Sequence, residues 1–111
     1  MYYVGVIWRG AFSPRLTRLG RGVDLYMYYV YILKSLRNGK LYKGLTNDLK
    51  RRLGEHNAGH SEFTSNNGPW KLIYYECFSN KEDAAREELF LKSGKGRERL
   101  GYLLESTLRL K

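Results

Sequence analysis

The chain is poor in cysteine, proline and acidic residues, and it has no long hydrophobic run. Its 111 residues include one cysteine, Cys77, and two prolines. A single cysteine excludes an intrachain disulfide and suits a reducing, cytoplasmic setting. No apolar run approaches the roughly 20 residues that span a bilayer, so we expect no membrane contact. A chain of this length forms one domain that can bury a modest core without metal or disulfide cross-links.

Basic residues outnumber acidic ones, 20 Lys and Arg against 11 Asp and Glu, and the net charge is +9. Clustered Lys and Arg release counterions from phosphates, so this excess favours a polyanionic partner, most simply nucleic acid. Solubility alone is the alternative reason for such a surface. Tyrosine and tryptophan rings can stack on bases, although most such rings belong to sheets and cores. We therefore expect a nucleic-acid partner.

A change in composition at Met27 divides the chain. Residues 1–26 contain four glycines, one proline and four arginines, and only residues 2–8 have the pattern of a strand. The tetrapeptide MYYV occurs at residues 1–4 and 27–30, but the segment before Met27 has no other match to the segment after it, so it is not a repeat unit. We expect residues 1–26 to be a flexible basic extension or an overlong gene start, with Met27 as the natural start. Residues 27–108 then form the domain.

The pattern after Met27 predicts the order β-β-α-β-α-α. The dipeptide Asn38-Gly39 is a strong hairpin signal between the first two strands. Three strands with helices packed on the sheet make a small α+β domain. The predicted strands are Tyr28–Ser35, residues 40–46 and Trp70–Phe78. The first predicted helix runs from a cap at residues 46–48 to about Asn57, and residues 60–69 form a loop. The second helix runs from a cap at Ser79 or Asn80 to about Ser93, Gly94 and Gly96 break it, and the third covers about residues 98–108.

Two tyrosines of the hairpin, Tyr31 and Tyr42, are the first candidate site residues. A two-residue turn at Asn38-Gly39 would place Tyr42 opposite Ser35, and a four-residue loop would place it opposite Tyr31. Both registers put the two tyrosines on one face of the sheet, because side chains alternate along a strand. Only the wider turn would let both serve one phosphate. A tyrosine pair that covers the core is the alternative interpretation.

The next helix along the chain, NDLKRRLGEH, carries the second set of candidates. Arg52 and His56 are four residues apart and share a helix face. An arginine is suited to a phosphate and its developing charge, and a histidine can relay a proton or bind phosphate. Each taken singly also fits an ordinary solvated helix surface.

Together, these motifs resemble the GIY-YIG nuclease superfamily. They are YVYILKS, then YKG eleven residues after Tyr31, then LKRRLGEH and PWKLIYYE, then an alanine-rich helix with a glutamate. The likeness is greatest to the small single-domain bacterial members, which are similar to the nuclease half of the C component of excinuclease ABC, and it covers residues 27–108. It implies a three-stranded antiparallel sheet flanked by helices, with a one-metal phosphodiesterase site. With these motifs we expect a monomer whose partner is DNA, with RNA as an open alternative.

The resemblance also implies roles for individual residues. Tyr31 and Tyr42 match the tyrosines of the two name-giving motifs, and Tyr42 is the preferred candidate for positioning or deprotonating the attacking water. Arg52 matches the family arginine that stabilises the phosphorane-like charge. His56 matches a frequent helix histidine.

The metal ligand implied by the resemblance is Glu88, with Glu87 one register away. One carboxylate with waters is a reasonable site for a single Mg²⁺ or Mn²⁺ ion at a phosphate. Two positions depart from the family pattern: Tyr29 stands where the family name has glycine, and Lys43 where it has isoleucine. We expect Lys43 to point to the face opposite Tyr42.

We predict from these observations a metal-dependent endonuclease that hydrolyses DNA phosphodiester bonds, in repair or in the processing of damaged or branched DNA. The alternative is a nucleic-acid-binding module of the same fold with little or no cleavage. A basic protein-interaction domain is the third candidate. The residues expected to hold the nucleic acid electrostatically are Lys43, Lys50, Arg51 and Lys92.

Overall fold

The computed structural model describes residues 16–19, 23–59 and 62–109. It contains a two-stranded antiparallel sheet and a three-stranded antiparallel sheet with helices on both faces. The elements in chain order are β1 (Leu16–Leu19), β2 (Val23–Tyr26), β3 (Tyr28–Ser35), β4 (Leu41–Thr46), α1 (Leu49–Asn57), α2 (Glu62–Asn67), β5 (Trp70–Phe78), α3 (Lys81–Leu91), α4 (Gly94–Leu103) and α5 (Glu105–Arg109).

The three-stranded sheet has the order β4-β3-β5, with both pairings antiparallel. This confirms the predicted α+β class and the predicted bounds of β3 and β5. Strand β3 is central and nearly all of its side chains are buried, as expected of a strand covered on both faces. The core therefore consists of two layers, one on each side of β3.

Each face of β3 supports its own hydrophobic cluster. One face, which includes Val30 and Ile32, packs with the buried Leu91 of α3 and Leu100 of α4. The other face supports the second cluster, in which Leu49 of α1 packs. A register shift in the β3–β5 pairing after Ile32 lets Ile73 and Tyr74, although adjacent in sequence, join the same cluster.

The hairpin connection has four residues, as in the wider alternative, but the register differs from that expected for either alternative. Tyr42 lies opposite Leu33, and Tyr31 lies opposite Gly44. Residues 36–39 connect the strands, because the Ser35 and Lys40 backbones are hydrogen-bonded to each other at 2.8 Å. The Ser35 hydroxyl accepts hydrogen bonds from two amides of this connection. The expectation that both tyrosines share one face is confirmed, because the register changed by an even number of residues.

Helix α1 begins where the sequence indicated. Asp48 caps it by accepting a hydrogen bond from the Arg51 amide at 3.0 Å. Gly59 follows its C-terminus at a positive φ of 79°, a conformation that glycine adopts without strain. Asn80 likewise caps α3.

Three predictions about elements were wrong. Residues 60–69 are not all loop, because α2 lies within them. The predicted break between two helices exists, but it lies at Lys92 and Ser93, and Gly94 and Gly96 belong to α4. The last helical region is two helices that meet at Leu104. The full order is thus β-β-α-α-β-α-α-α after the first hairpin.

Strands β1 and β2 correct the prediction that only residues 2–8 of the first 26 have a strand pattern. Leu16–Leu19 pairs with Val23–Tyr26 in a sheet separate from β3, β4 and β5. Each segment has only four residues, and Leu16–Leu19 does not alternate apolar and polar residues, so no strand pattern stood out in the sequence. Residues 2–8 lie outside the described residues.

Candidate active site

Tyr31 and His56 form the buried centre of the site. The Tyr31 hydroxyl and His56 Nε2 are 2.9 Å apart, and the two side chains are 1% and 2% exposed. Burial, with the nearby Arg52 charge, lowers the pKa of His56 to about 4, and Glu55 opposes this. Burial also raises the pKa of Tyr31 to about 12. A neutral imidazole and a neutral phenol therefore share this hydrogen bond at neutral pH.

Gly44 permits that arrangement. It lies opposite Tyr31 in the sheet, and a Cβ atom at Gly44 would overlap the Tyr31 hydroxyl and ring. The glycine that ends the motif Tyr42-Lys43-Gly44 therefore leaves room for the phenol of the other motif. Sequence reasoning did not assign this role, because it depends on the cross-strand register.

Tyr42 stands beside this pair and is only half-buried. Its ring meets His56 edge-on with the centroids 4.5 Å apart, and lies 6.3 Å from the Tyr31 ring. Between the two tyrosines, Tyr42 is thus the one that solvent can reach. A water or phosphate entering the site would therefore meet the Tyr42 side chain before that of Tyr31.

Arg52 extends from α1 toward both tyrosines. Its Nη1 donates to Glu55 Oε1 at 2.9 Å, and a third of its side chain is exposed. The Glu55 carboxylate above all, and the two tyrosine hydroxyls more weakly, raise the pKa of Arg52, so it stays charged. Arg52 is therefore a fixed cation at the mouth of the tyrosine pair.

Glu88 extends from α3 toward Tyr31, whereas Glu87 of the same helix lies near Glu76. The Glu88 charge is close enough to contribute to the raised pKa of Tyr31. Its Oε2 lies 3.0 Å from Lys92 Nζ. Burial and the Glu76 carboxylate raise the pKa of Glu87 to about 7, against the opposing charge of Arg99.

Glu88 is the carboxylate expected to hold a divalent cation. Within the described ranges, no group of three or more His, Cys, Asp and Glu side chains is placed to hold a metal ion. A divalent ion here would have Glu88 as its single carboxylate, with water and phosphate oxygens completing the shell. Hard cations such as Mg²⁺ accept such a site.

The four residues predicted to hold nucleic acid separate into two pairs. Lys43 donates to the Leu91 carbonyl at 3.0 Å, on the face opposite Tyr42 as predicted, and Lys92 lies nearby. Arg51 is ion-paired to Asp48 and Glu55, and Lys50 is exposed. Lys43 and Lys92 thus lie at a cleft beside Tyr42, whereas Lys50 and Arg51 lie on α1.

That cleft has a volume of about 340 Å³. It is lined by Leu41, Tyr42, Lys43, Phe63 and Lys92. Phe63 belongs to α2, so sequence reasoning missed it together with its helix. The serine and asparagine residues of α2 have low helix propensity, so no local signal marked it.

Phe63 completes an aromatic cluster, which we define as Tyr31, Tyr42, His56, Phe63 and Trp70. The Phe63 ring stacks with Tyr42 at 6.1 Å and an interplanar angle of 29°. It also contacts Trp70 at 5.7 Å. Elements β3, β4, α1, α2 and β5 each contribute one ring, so the cluster ties the site to the whole second core layer.

Comparison with known proteins gives consistent matches. A family model for the GIY-YIG catalytic domain matches residues 27–100. The UPF0213 protein CPE1444 of Clostridium perfringens is 45% identical over 67 residues, covering 60% of this chain and 71% of its own length. A UPF0213 protein of Bacillus pumilus is 36% identical over 84 residues, covering 75% of this chain and 85% of its own.

One solved structure is also similar. The solution NMR structure of the UPF0213 protein BH0048 from Bacillus halodurans is 36% identical to this chain. The match covers 69% of this chain and 84% of that one, with a TM-score of 0.44.

Proposed function

The chain belongs to the GIY-YIG nuclease superfamily, and from that premise we propose that it is a divalent-metal-dependent endonuclease that hydrolyses DNA phosphodiester bonds. The observation that carries the proposal is the convergence of Tyr31, Tyr42, Arg52 and His56 from three elements, with Glu88 close by. Two tyrosines that only happened to be neighbours on the surface would require neither a glycine opposite Tyr31 nor a buried histidine against Tyr42.

The residues divide the work by their exposure and charge. Tyr42 positions the attacking water through its hydroxyl, while Tyr31 and His56 hold that ring from behind. Arg52 stabilises the charge that develops on the phosphate oxygens. Glu88 would hold Mg²⁺ or Mn²⁺, and the bound ion would supply Lewis-acid stabilisation of developing charge.

Arg52 and its neighbour Arg51 give a matched test of this division. Both lie on α1 and both pair with Glu55, but only Arg52 is coupled to the tyrosines. We expect Arg52→Ala to lower cleavage about 100-fold or more, with DNA binding reduced much less. Arg51→Ala should change cleavage by only a few-fold. Equal losses in the two variants would contradict the role of Arg52.

The substrate is to be sought with a panel of labelled duplex, single-stranded, flapped and four-way DNA, with Mg²⁺ or Mn²⁺ against EDTA. A repair or branch-processing role predicts faster cleavage of flapped or four-way DNA than of plain duplex. Equal rates on all four would argue against that role while leaving the nuclease proposal in place.

A binding module without cleavage is the second candidate, and one observation favours it. Glu88 is already paired with Lys92, and Arg52 with Glu55, so catalysis requires both pairings to yield to substrate and metal. Salt-dependent DNA binding with no metal-dependent product would identify this case. Absence of DNA binding would instead favour the basic protein-interaction domain.

A further inference from the structure

The cleft beside Tyr42 contains two kinds of groups that the proposed hydrolysis does not use. Phe63, whose ring is partly exposed, lines one side of the cleft, and Lys43 and Lys92 line the other. Tyr42 belongs both to the cleft and to the catalytic residues. A strand bound at the tyrosines would therefore run directly into this cleft.

Phe63 is held firmly although 40% of its surface is exposed. The Trp70 indole donates to the Thr64 carbonyl at 2.9 Å, and the Asn67 side chain donates to the Phe63 carbonyl at 2.7 Å. Thr64 and Asn67 are themselves buried. The ring is thus a rigid apolar surface at the edge of the core rather than a mobile loop side chain.

Two cations, Lys43 and Lys92, line the opposite side of the cleft, and a third, Arg97, lies close to both. Lys43 donates to the Leu91 carbonyl, and Arg97 Nη1 donates to the Lys92 carbonyl at 3.0 Å. Burial, together with the Arg97 and Lys92 charges, lowers the pKa of Lys43. Among the ion pairs of the described residues, only Lys92 of these three has an acidic partner. Like charges held this close favour an anion between them.

We propose that this cleft binds the nucleotide next to the scissile phosphate, with its phosphate at Lys43 and Lys92 and its base against Phe63; this rests on the proposed nuclease function. Proteins that bind single strands combine cations that contact the phosphates with aromatic rings on which the bases stack. A cleft with cations on one side and an aromatic ring on the other has both kinds of group. A base that stacks on Phe63 must first unstack from the neighbouring bases of its strand. The cleft therefore favours substrates whose bases can unstack next to the cut.

Binding without metal tests the base contact directly. The probes are a fluorescent thymidine oligonucleotide and an abasic strand of the same length, titrated in EDTA by anisotropy. The wild type should prefer the thymidine strand by about tenfold, within the range of base–aromatic stacking. Phe63→Leu should lose this preference while binding the abasic strand as well as the wild type does, and Phe63→Tyr should keep it. Tyr102→Leu, at an exposed ring of α4, is the control and should keep the preference.

The proposed contact between Lys92 and the phosphate is tested separately, by the salt dependence of binding. Lys92→Ala should weaken binding of both strands alike and reduce the salt slope by about 0.7, the value for one contact on a single strand. Lys81→Ala, at the other end of α3, should leave the slope unchanged.

The outcomes separate the two proposals. If no DNA is cut but Phe63→Leu alone removes the thymidine preference, the base site stands and the nuclease proposal fails. If the wild type cuts DNA but shows no thymidine preference, or Phe63→Leu keeps it, the base site is overturned. A Lys92→Ala slope equal to that of the wild type would overturn the phosphate contact.

Discussion

Burial separates the roles of residues that the sequence presents as equivalent. Tyr31 and Tyr42 occupy matching places in two motifs, yet Tyr31 is enclosed with His56 while Tyr42 is open to solvent. Glu87 and Glu88 are adjacent, yet one lies with Glu76 and the other near the tyrosines. Neighbouring helical residues point about 100° apart, and this rotation divides the two carboxyl groups.

Glu87 provides a prediction on pH. The Tyr74 hydroxyl donates to Glu76 Oε2 at 2.6 Å, and Glu76 Oε1 is buried and accepts nothing else from the described residues. A proton on Glu87 can satisfy that oxygen, which agrees with a pKa of about 7 in place of the ordinary 4.5. The folded protein keeps this proton up to a higher pH than the unfolded chain does. Its contribution to stability is therefore full below 4.5 and is lost as the pH rises through 7.

Glu87→Gln should remove this dependence, because an amide can donate to Glu76 without titrating. Denaturant unfolding between about pH 5 and pH 8 should show the variant gaining stability relative to the wild type as the pH rises. Glu88→Gln is the control and should follow the wild-type slope. A Glu87→Gln difference that does not change with pH would contradict the shared proton.

At the scale of elements, contacts between segments distant in sequence determine the features that could not be predicted from the sequence. Strands β3 and β5 were predictable because their β-branched and aromatic runs are long, and α1 because Asp48 and Gly59 mark its ends. Helix α2 was not, because buried contacts from Trp70 and Asn67 hold its polar sequence in place. The face shared by the site tyrosines could be predicted from strand alternation, whereas their register depended on the connection that Ser35 organises.

Gly96 shows the same limit and yields a test. A Cβ atom there would overlap the Phe90 carbonyl, so glycine is needed where α4 starts against the end of α3. We expect Gly96→Ala to lower the free energy of unfolding by about 1–3 kcal/mol or more, since backbone must move. Gly101→Ala in the same helix meets no atom within 4 Å and should gain up to about 1 kcal/mol from helix propensity. Equal effects of the two changes in urea unfolding would refute the packing argument.

The whole molecule has an excess of positive charge that the site can use. The net charge is +9, and several acidic side chains are engaged in pairs along single helices, such as Glu55 on α1 and Asp83 on α3. Of the two cations that line the cleft, Lys92 is paired with Glu88, whereas Lys43 has no acidic partner among the ion pairs of the described residues. Among the described residues, no helix has the length and apolar character needed to cross a bilayer.

The independence of the first 26 residues from the domain remains a prediction at this scale. Strands β1 and β2 pair with each other and do not extend the sheet of β3, β4 and β5. We expect a chain that starts at Met27 to unfold cooperatively, with a melting temperature within a few degrees of the full chain, a change of roughly 1 kcal/mol. Loss of cooperative unfolding in calorimetry would show that the first segment belongs to the domain.

Metal-dependent cleavage by the wild type, Glu88→Gln and Glu87→Gln on one labelled DNA panel tests the central claim most directly. The account predicts products with Mg²⁺ or Mn²⁺ and none with EDTA for the wild type. Glu88→Gln should lose cleavage while keeping or slightly strengthening DNA binding, because a negative charge near phosphate is removed, and Glu87→Gln should cut as the wild type does. A folded, DNA-binding wild type that cuts nothing, or cleavage that survives in Glu88→Gln and disappears in Glu87→Gln, would contradict it.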